Sequence, residues 1–253
     1  MNTSFQGKNQ EEITKEIEEM YIAGVHFGYS SSSRHPKVKP YLFGSRNNTE
    51  IFNLEKVNSS LLEAEAFLKE LGSRGSKFLL VSTKPEARDI IEKVGRELEI
   101  PFAVERWLGG TLTNLNEIKK RIAYFEDLHN KKISGEYKDH TKKEISQMDK
   151  KFAKMEGRFE GLRLHSGMPA ALVVVDPKQE KTAVDEAKRM KIPVVAILNS
   201  DCDPTTVNYP IPANDASISS VQYLLGRLAE AYQEGKKHPV EKEVEKKEEN
   251  SNN

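Results

Sequence analysis

Cysteine is almost missing: Cys202 is the only one in 253 residues. A single thiol excludes an internal disulfide and a zinc site built mainly from thiolates, and it fits a reducing, cytosolic compartment. Net charge is missing too, because 39 lysines and arginines balance 39 aspartates and glutamates. A typical free-standing nucleic-acid binder is basic overall, so any RNA site here has to be a local basic patch on a balanced body. No apolar run approaches the roughly 20 residues that span a bilayer. The polar, acidic start shows no signal-peptide apolar region. Phosphate-loop and nucleophile patterns are also wanting. Gly72-Ser-Arg-Gly-Ser-Lys77 precedes a strand instead of following one, and no Gly-x-Ser-x-Gly or strand-following Gly-x-Gly-x-x-Gly occurs.

What is present in excess is charge of both signs, 31% of residues against a usual quarter. Apolar runs at Lys77–Ser82, Pro101–Val104, Ala171–Val175 and Val194–Leu198 read as strands, the last being the final clear core strand. They alternate with amphipathic helices over about 54–71, 83–98, 178–190 and 215–232. Thr83 and Glu86 form a capping box, and Asn53 and Asn214 or Asp215 are caps. Continuous apolar strands alternating with helices indicate a parallel sheet covered on both faces. Upstream, residues 1–10 are expected to be disordered. A short acidic helix follows, with Ile13, Ile17, Met20 and Tyr21 on one face and Gly24 as its stop. Gly28 to Tyr41 reads as a loop, and Tyr41–Phe43 and Glu50–Phe52 as two short strands turning at Asn47-Asn48.

Residues 114–162 break the alternation. Leu115, Ile118, Ile122 and Phe125, then Ile145, Met148, Phe152, Met155, Phe159 and Leu162, keep a three–four spacing. They flank a short linker with Gly135 and a second capping box at Thr141–Glu144. Two helices of about 20 residues, each about 30 Å long, with a narrow apolar seam form an antiparallel coiled-coil hairpin. Its other faces are dense in lysine and glutamate, so little of it needs burial. It serves either as a solvated structural arm or as an arm that reaches a partner. The organisation expected is therefore a discontinuous α/β domain, 11–113 and 163–233, with the hairpin 114–162 inserted and a disordered charged tail from 234 to 253.

Candidate chemistry lies in loops. Arg34, His35, Lys37, Lys39 and Arg46 occur without one acidic residue from Ser30 to Thr49, interleaved with Tyr29, Tyr41 and Phe43. Cations neutralise phosphates, aromatics stack on unpaired bases, and serines and loop N–H groups bond phosphate oxygens. The bland alternative is an ordinary basic surface loop. Arg106-Trp-Leu-Gly-Gly-Thr-Leu-Thr-Asn114 joins a strand to a helix, and its glycines let backbone approach a phosphate. A tight turn that needs glycine for its dihedrals explains it equally. Lys84 and Arg88 stand one turn apart just past a strand, on the edge where such sheets bind ligands. Asp176, Asp201, Cys202 and Asp203 with His26 and His165 form no closed ligand set, so no metal is expected.

In order along the chain, Ala23-Gly-Val-His-Phe-Gly28, His35-Pro-Lys-Val-Lys-Pro-Tyr-Leu-Phe-Gly-Ser-Arg-Asn47, Asn53-Leu-Glu-Lys56, Ser82-Thr-Lys84, the Arg106–Asn114 block, Met168-Pro-Ala-Ala-Leu172, Ile192-Pro-Val194, Asp201-Cys-Asp-Pro204 and Ile211-Pro-Ala-Asn-Asp215 resemble the S-two family of small-subunit ribosomal proteins, bacterial or organellar type. The resemblance covers about Ala23 to Tyr232. It departs at Tyr29, where the family usually has histidine, at His35, often asparagine, and at Leu164-His-Ser-Gly-Met168. It implies a flavodoxin-like α/β domain with an inserted coiled-coil hairpin, no enzymatic activity and no cofactor. The partners it implies are small-subunit ribosomal RNA and neighbouring ribosomal proteins, among them the messenger-binding protein S-one, on a cytoplasmic or organellar ribosome and away from membranes. The RNA contacts expected are Arg34, Lys37, Lys39, Arg46 and Arg106 on phosphates, with Tyr41 and Asn47 in support and Lys84 and Arg88 at the strand edge. Two rivals stand beside this reading: an enzyme binding a nucleotide or phosphorylated metabolite at Gly109-Gly110, and a protein-interaction scaffold acting through the hairpin.

Overall fold

The structure, a computed structural model, describes residues 10–134, 142–164 and 167–239. The expected disorder of 1–9 and 240–253, the Gly135 linker, the Thr141 end of the second capping box and His165 lie outside the described residues.

Helix α1 (Gln10–Ile22) leads into strand β1 (Phe27–Ser30), two 3-10 turns (Ser31–Ser33 and Pro36–Tyr41), and the hairpin of β2 (Leu42–Arg46) and β3 (Thr49–Phe52). These strands form a small antiparallel sheet in the order β1-β3-β2. The doubly wound part follows: α2 (Leu54–Ser73), β4 (Phe78–Val81), α3 (Pro85–Leu98), β5 (Phe102–Ala103), α4 (Leu115–Ser134), α5 (Lys142–Phe159), β6 (Ala171–Val175), α6 (Lys181–Arg189), β7 (Val194–Leu198), β8 (Tyr209–Pro212) and α7 (Ile218–Lys237). Its five strands are all parallel, in the order β5-β4-β6-β7-β8. Counted from β4, that is 2-1-3-4-5, the flavodoxin-like order.

Side-chain alternation divides the core into two layers. Phe78, Leu80, Ala171, Val173, Val175, Val195 and Ile197 face α2, α3 and α7, which bring Leu61, Leu68, Ile91, Leu98, Val221 and Leu228. Leu79, Val81, Leu172, Val174, Val194 and Ala196 join the cluster of α4, α5 and α6, with Ile118, Phe125, Phe159 and Val184. Both faces of the sheet are thus covered, which is why its strands read as unbroken apolar runs.

Several sequence expectations are corrected here. Strand β8 was hidden by Pro210 and Pro212; it is the edge strand, where proline costs no ladder bond. The Gly28–Tyr41 loop opens with a strand, β1, and closes with a 3-10 turn capped by His35. Thr83 caps nothing: its N–H and hydroxyl both donate to Glu180, at 2.8 and 2.5 Å, so α3 starts at Pro85. Asp215 is buried against Lys84, and the N-cap position of α7 falls to Ser217. Tyr21 does not join the inward face of α1; it is exposed and stacks on His26 at 4.6 Å. Helix α7 continues to Lys237, past the expected start of the tail, with Lys236 donating to the Leu98 carbonyl at 3.2 Å. Asn53 does cap α2, accepting from Glu55 and Lys56 N–H.

Helices α4 and α5 lie side by side, with Phe125 stacked 5.4 Å from Phe152 and Lys132 bonded to Asp149 at 3.2 Å. More of the pair is buried than its charge density suggested. Ile118, Ile122, Phe125, Phe152 and Phe159 share one cluster with the sheet.

Candidate nucleic-acid interface

The basic loop is not a free strand in solvent. Its backbone is pinned to the exit of β7. Tyr29 N–H donates to Asn199 Oδ1 (3.0 Å) and Ser200 Oγ (2.9 Å), and His35 N–H donates to the Ser200 carbonyl (2.8 Å). Val38 drops into the core between Lys37 and Lys39, which forces those two lysines outward. Beyond it, Asn47 and Asn48 take left-handed φ values of 52° and 63°. This is the two-residue turn that twists correctly for a hairpin and that asparagine tolerates.

The cations of this loop divide into two sets. Arg34 bonds Glu50 at 3.2 Å, and Glu50 is buried. Lys37 bonds Asp203 and the Thr205 hydroxyl, both at 2.8 Å, and holds the Asp203 carboxyl well below the usual carboxylate range. Lys39 and Arg46 are exposed and, among the described residues, have no carboxylate partner. Of the interleaved aromatics, Tyr29 points inward to Lys84, Tyr41 is half-buried against the core, and only Phe43 is free, at 82% exposure. Asn47 is exposed at the hairpin tip.

Lys84 is where expectation and structure part most clearly. It is 8% exposed and lies between two carboxylates, Asp176 at 2.9 Å and Asp215 at 2.7 Å, with the Tyr29 hydroxyl at 3.1 Å. Burial alone would pull its pKa down; Asp215 and the hydrogen bonds of Asp176 and Tyr29 outweigh that and keep the ammonium charged. A lysine so enclosed cannot reach an RNA phosphate. It fills the crevice between β4 and β6, the topological switch point where folds of this order hold a ligand. Arg88, four residues on, is exposed but bonded to Glu105 (3.1 Å) and Glu92 (3.5 Å).

The Arg106–Asn114 loop is likewise occupied from within. Glu186 of α6 aims its carboxylate at it. Oε1 accepts from Trp107 Nε1 (3.0 Å) and Gly110 N–H (2.8 Å). Oε2 accepts from Leu112 N–H, Thr113 N–H and the Thr113 hydroxyl, each at 3.1 Å. Sequence reading missed Glu186, although an acid among Ala183, Val184 and Ala187 on the buried face of an amphipathic helix is the signal of a buried polar partner. Arg106 itself is exposed and has no carboxylate partner among the described residues.

Burial would raise the Glu186 pKa, but the Gly110, Trp107, Thr113 and Leu112 donors hold it below its ordinary 4.5. The stabilisation is therefore fully present above the unfolded value and is lost as pH falls through the lower folded one. Since Trp107 is the only tryptophan, its fluorescence should report a loop transition below the ordinary glutamate range, and Glu186→Gln should remove that transition. A signal equally flat from pH 7 to pH 3 in both proteins speaks against this.

No metal site forms among the described residues. Asp201 bonds Lys178 at 2.6 Å, Asp203 is held by Lys37, and burial pushes the Cys202 thiol far above its usual pKa.

A flavodoxin-like sheet whose ligand crevice is filled by its own lysine, and whose glycine loop is filled by its own glutamate, defines a doubly wound α/β scaffold. Comparison with known proteins completes the identification. The family model Ribosomal protein S2 matches residues 20–235. Relatives named small ribosomal subunit protein uS2 align over 220 residues, 87% of this chain. The one from Rhodopirellula baltica is 38% identical, with 85% of its length covered. That from Dictyoglomus thermophilum is 39% identical (89% covered), and that from Chloroflexus aurantiacus 37% (92% covered). The chain belongs to the ribosomal protein S2 family and is a structural, non-enzymatic constituent of the small ribosomal subunit. No described helix is long and apolar enough to cross a membrane.

Proposed function

We propose that the chain meets ribosomal RNA through Lys39, Arg46 and Arg106, with Asn47 beside them, while Arg34, Lys37, Lys84 and Arg88 hold the loops that present those groups. The carrying observation is the division of charge. The first three are exposed without a carboxylate partner among the described residues, and the other four are bonded to acids. Tyr41, half-buried, supports the loop from below. Phe43, widely exposed beside these cations, offers a ring on which an unpaired base can stack.

The division also explains how a chain of zero net charge binds a polyanion: its acids neutralise structural cations and leave others free. Changing Lys39, Arg46 and Arg106 together to alanine should weaken binding to small-subunit RNA and lower the slope of log affinity against log salt by about 2–3. Arg34→Ala with Lys37→Ala should change that slope by much less than two contacts' worth. Equal slopes for the triple variant and the unaltered protein would refute the assignment.

The organisation that goes with this reading is a discontinuous α/β domain carrying 114–162 as an antiparallel coiled-coil insertion. The α4–α5 contacts support it: partners descend along α5, from Phe159 to Asp149, as they ascend α4 from Phe125 to Lys132. The resemblance adds the messenger-binding protein S-one to the neighbours. We assign the chain to a cytoplasmic ribosome, with an organellar one as the alternative.

A further inference from the structure

We infer that the 107–113 loop is an anion cradle whose occupant is the chain's own Glu186, and that Glu186 is thereby the positioning residue for Arg106 in RNA binding. The second half rests on the Arg106 contact proposed above.

Three backbone N–H groups, an indole N–H and a hydroxyl converge on one carboxylate, and each of its oxygens receives at least two of them. Glu186 is buried, and no cation is bonded to it among the described residues. Its neighbours on α6, Ala183, Val184 and Ala187, are apolar. A carboxylate met only by neutral donors is the arrangement by which backbone nests bind free oxyanions. Gly110 has φ 93°, which glycine alone adopts without strain, and this turns its N–H inward to Oε1. On the outward side Gly109 faces open space and Arg106 projects into solvent. The donors thus face in because the anion draws them in, and the cation faces out as a result. Without the anion, the buried Trp107 and Leu112 donors would be left unpaired, and the loop would have to open to hydrate them.

The test uses the full chain with Glu186→Ala, Glu186→Gln and Arg106→Ala. In Glu186→Ala, amide exchange at Gly110, Leu112 and Thr113 should quicken at least tenfold while the amides of β4 and β6 keep their protection. Sodium acetate should slow it again where sodium chloride of equal ionic strength does not. Affinity for small-subunit RNA should fall to that of Arg106→Ala, acetate should recover part of it, and the double variant should bind no more weakly than either single one. Glu186→Gln, which keeps the shape but offers one acceptor oxygen, covers the case in which the alanine variant fails to fold and should show the same acceleration in weaker form. Unaltered exchange in whichever Glu186 variants fold, or acetate acting no better than chloride on a folded Glu186→Ala, would overturn the cradle. Loop opening with undiminished RNA affinity would overturn the positioning role. If Arg106→Ala alone binds RNA normally, the Arg106 contact falls, and exchange and acetate still judge the cradle by themselves.

Discussion

Replacing Lys84 by methionine should lower folding stability by about 3–5 kcal/mol, the usual cost of removing one partner from a buried ion pair. The methionine chain fills similar space, so the loss is electrostatic. Asp215, fully buried, loses its only cation among the described residues and keeps the 2.8 Å bond from Asn199 Nδ2, and Asp176 faces it without a cation between them. The Tyr29 hydroxyl loses the 3.1 Å bond from the Lys84 ammonium as well. Against a total of about 5–15 kcal/mol for a domain, this is a large fraction, and urea unfolding of the full chain should show it. Lys84→Met with Asp215→Asn should be appreciably more stable than Lys84→Met alone, because the second change removes the stranded charge. The sign with pH is also fixed. The Lys84 pKa is raised in the folded protein, so its contribution is fully present below the unfolded value of 10.5 and fades only as pH rises through the folded one. A lysine that merely awaited an RNA phosphate would cost little to replace in the free protein. A loss under 1 kcal/mol would sink the internal role assigned to it.

The fold was legible where burial leaves a continuous signature. Phe78–Val81, Ala171–Val175 and Val194–Leu198 are buried at every position, and such runs have few alternative readings. Strands β1 and β8 were hidden because their constraints are relaxed: β8 is an edge tolerating two prolines, and β1 pairs through glycine, tyrosine and serine in a small partly exposed sheet. The site was legible only as a density of cations. Which cations are free depends on acids that arrive from far along the chain. Asp203 is 166 residues from Lys37, and Asp215 is 131 from Lys84. No local pattern encodes those pairings. Glu50, sixteen residues from Arg34 and the first acid beyond the basic loop, and Glu92, one turn from Arg88, stood near enough to suggest one. The Glu186 contact spans 73 to 79 residues for its several bonds, more than a whole βα repeat. The charge that holds the structure and the charge left exposed on the surface are thus the same residue types, separated only by tertiary folding.

Glycine in the last helix gives the second large effect, with a sign that depends on position. Gly235→Ala should destabilise the protein, and Gly226→Ala, nine residues earlier in α7, should stabilise it slightly. Helix propensity alone favours alanine at both sites by about 1 kcal/mol. At Gly226 nothing lies within 4 Å of the added Cβ, so propensity decides. At Gly235 the Cβ would overlap the carbonyl oxygen of Lys69 and crowd the Ser73 N–H, 3.0 Å away. Gly72 of α2 stands in the reciprocal relation, its added Cβ overlapping the Tyr232 carbonyl oxygen. These are backbone atoms of an opposing helix, which cannot rotate away as a side chain can. Helices α2 and α7 must separate, and with them Leu68, Leu71, Leu228 and Tyr232, all buried in the same layer. Overpacking of this kind costs about 1–3 kcal/mol, occasionally more, and here it should exceed the propensity gain. Thermal unfolding of the two variants side by side decides the matter: the melting temperature should rise for Gly226→Ala and fall for Gly235→Ala. A rise for both would mean that α2 and α7 do not approach each other through their glycines, and that the layer opposite the α4–α6 face is closed in some other way.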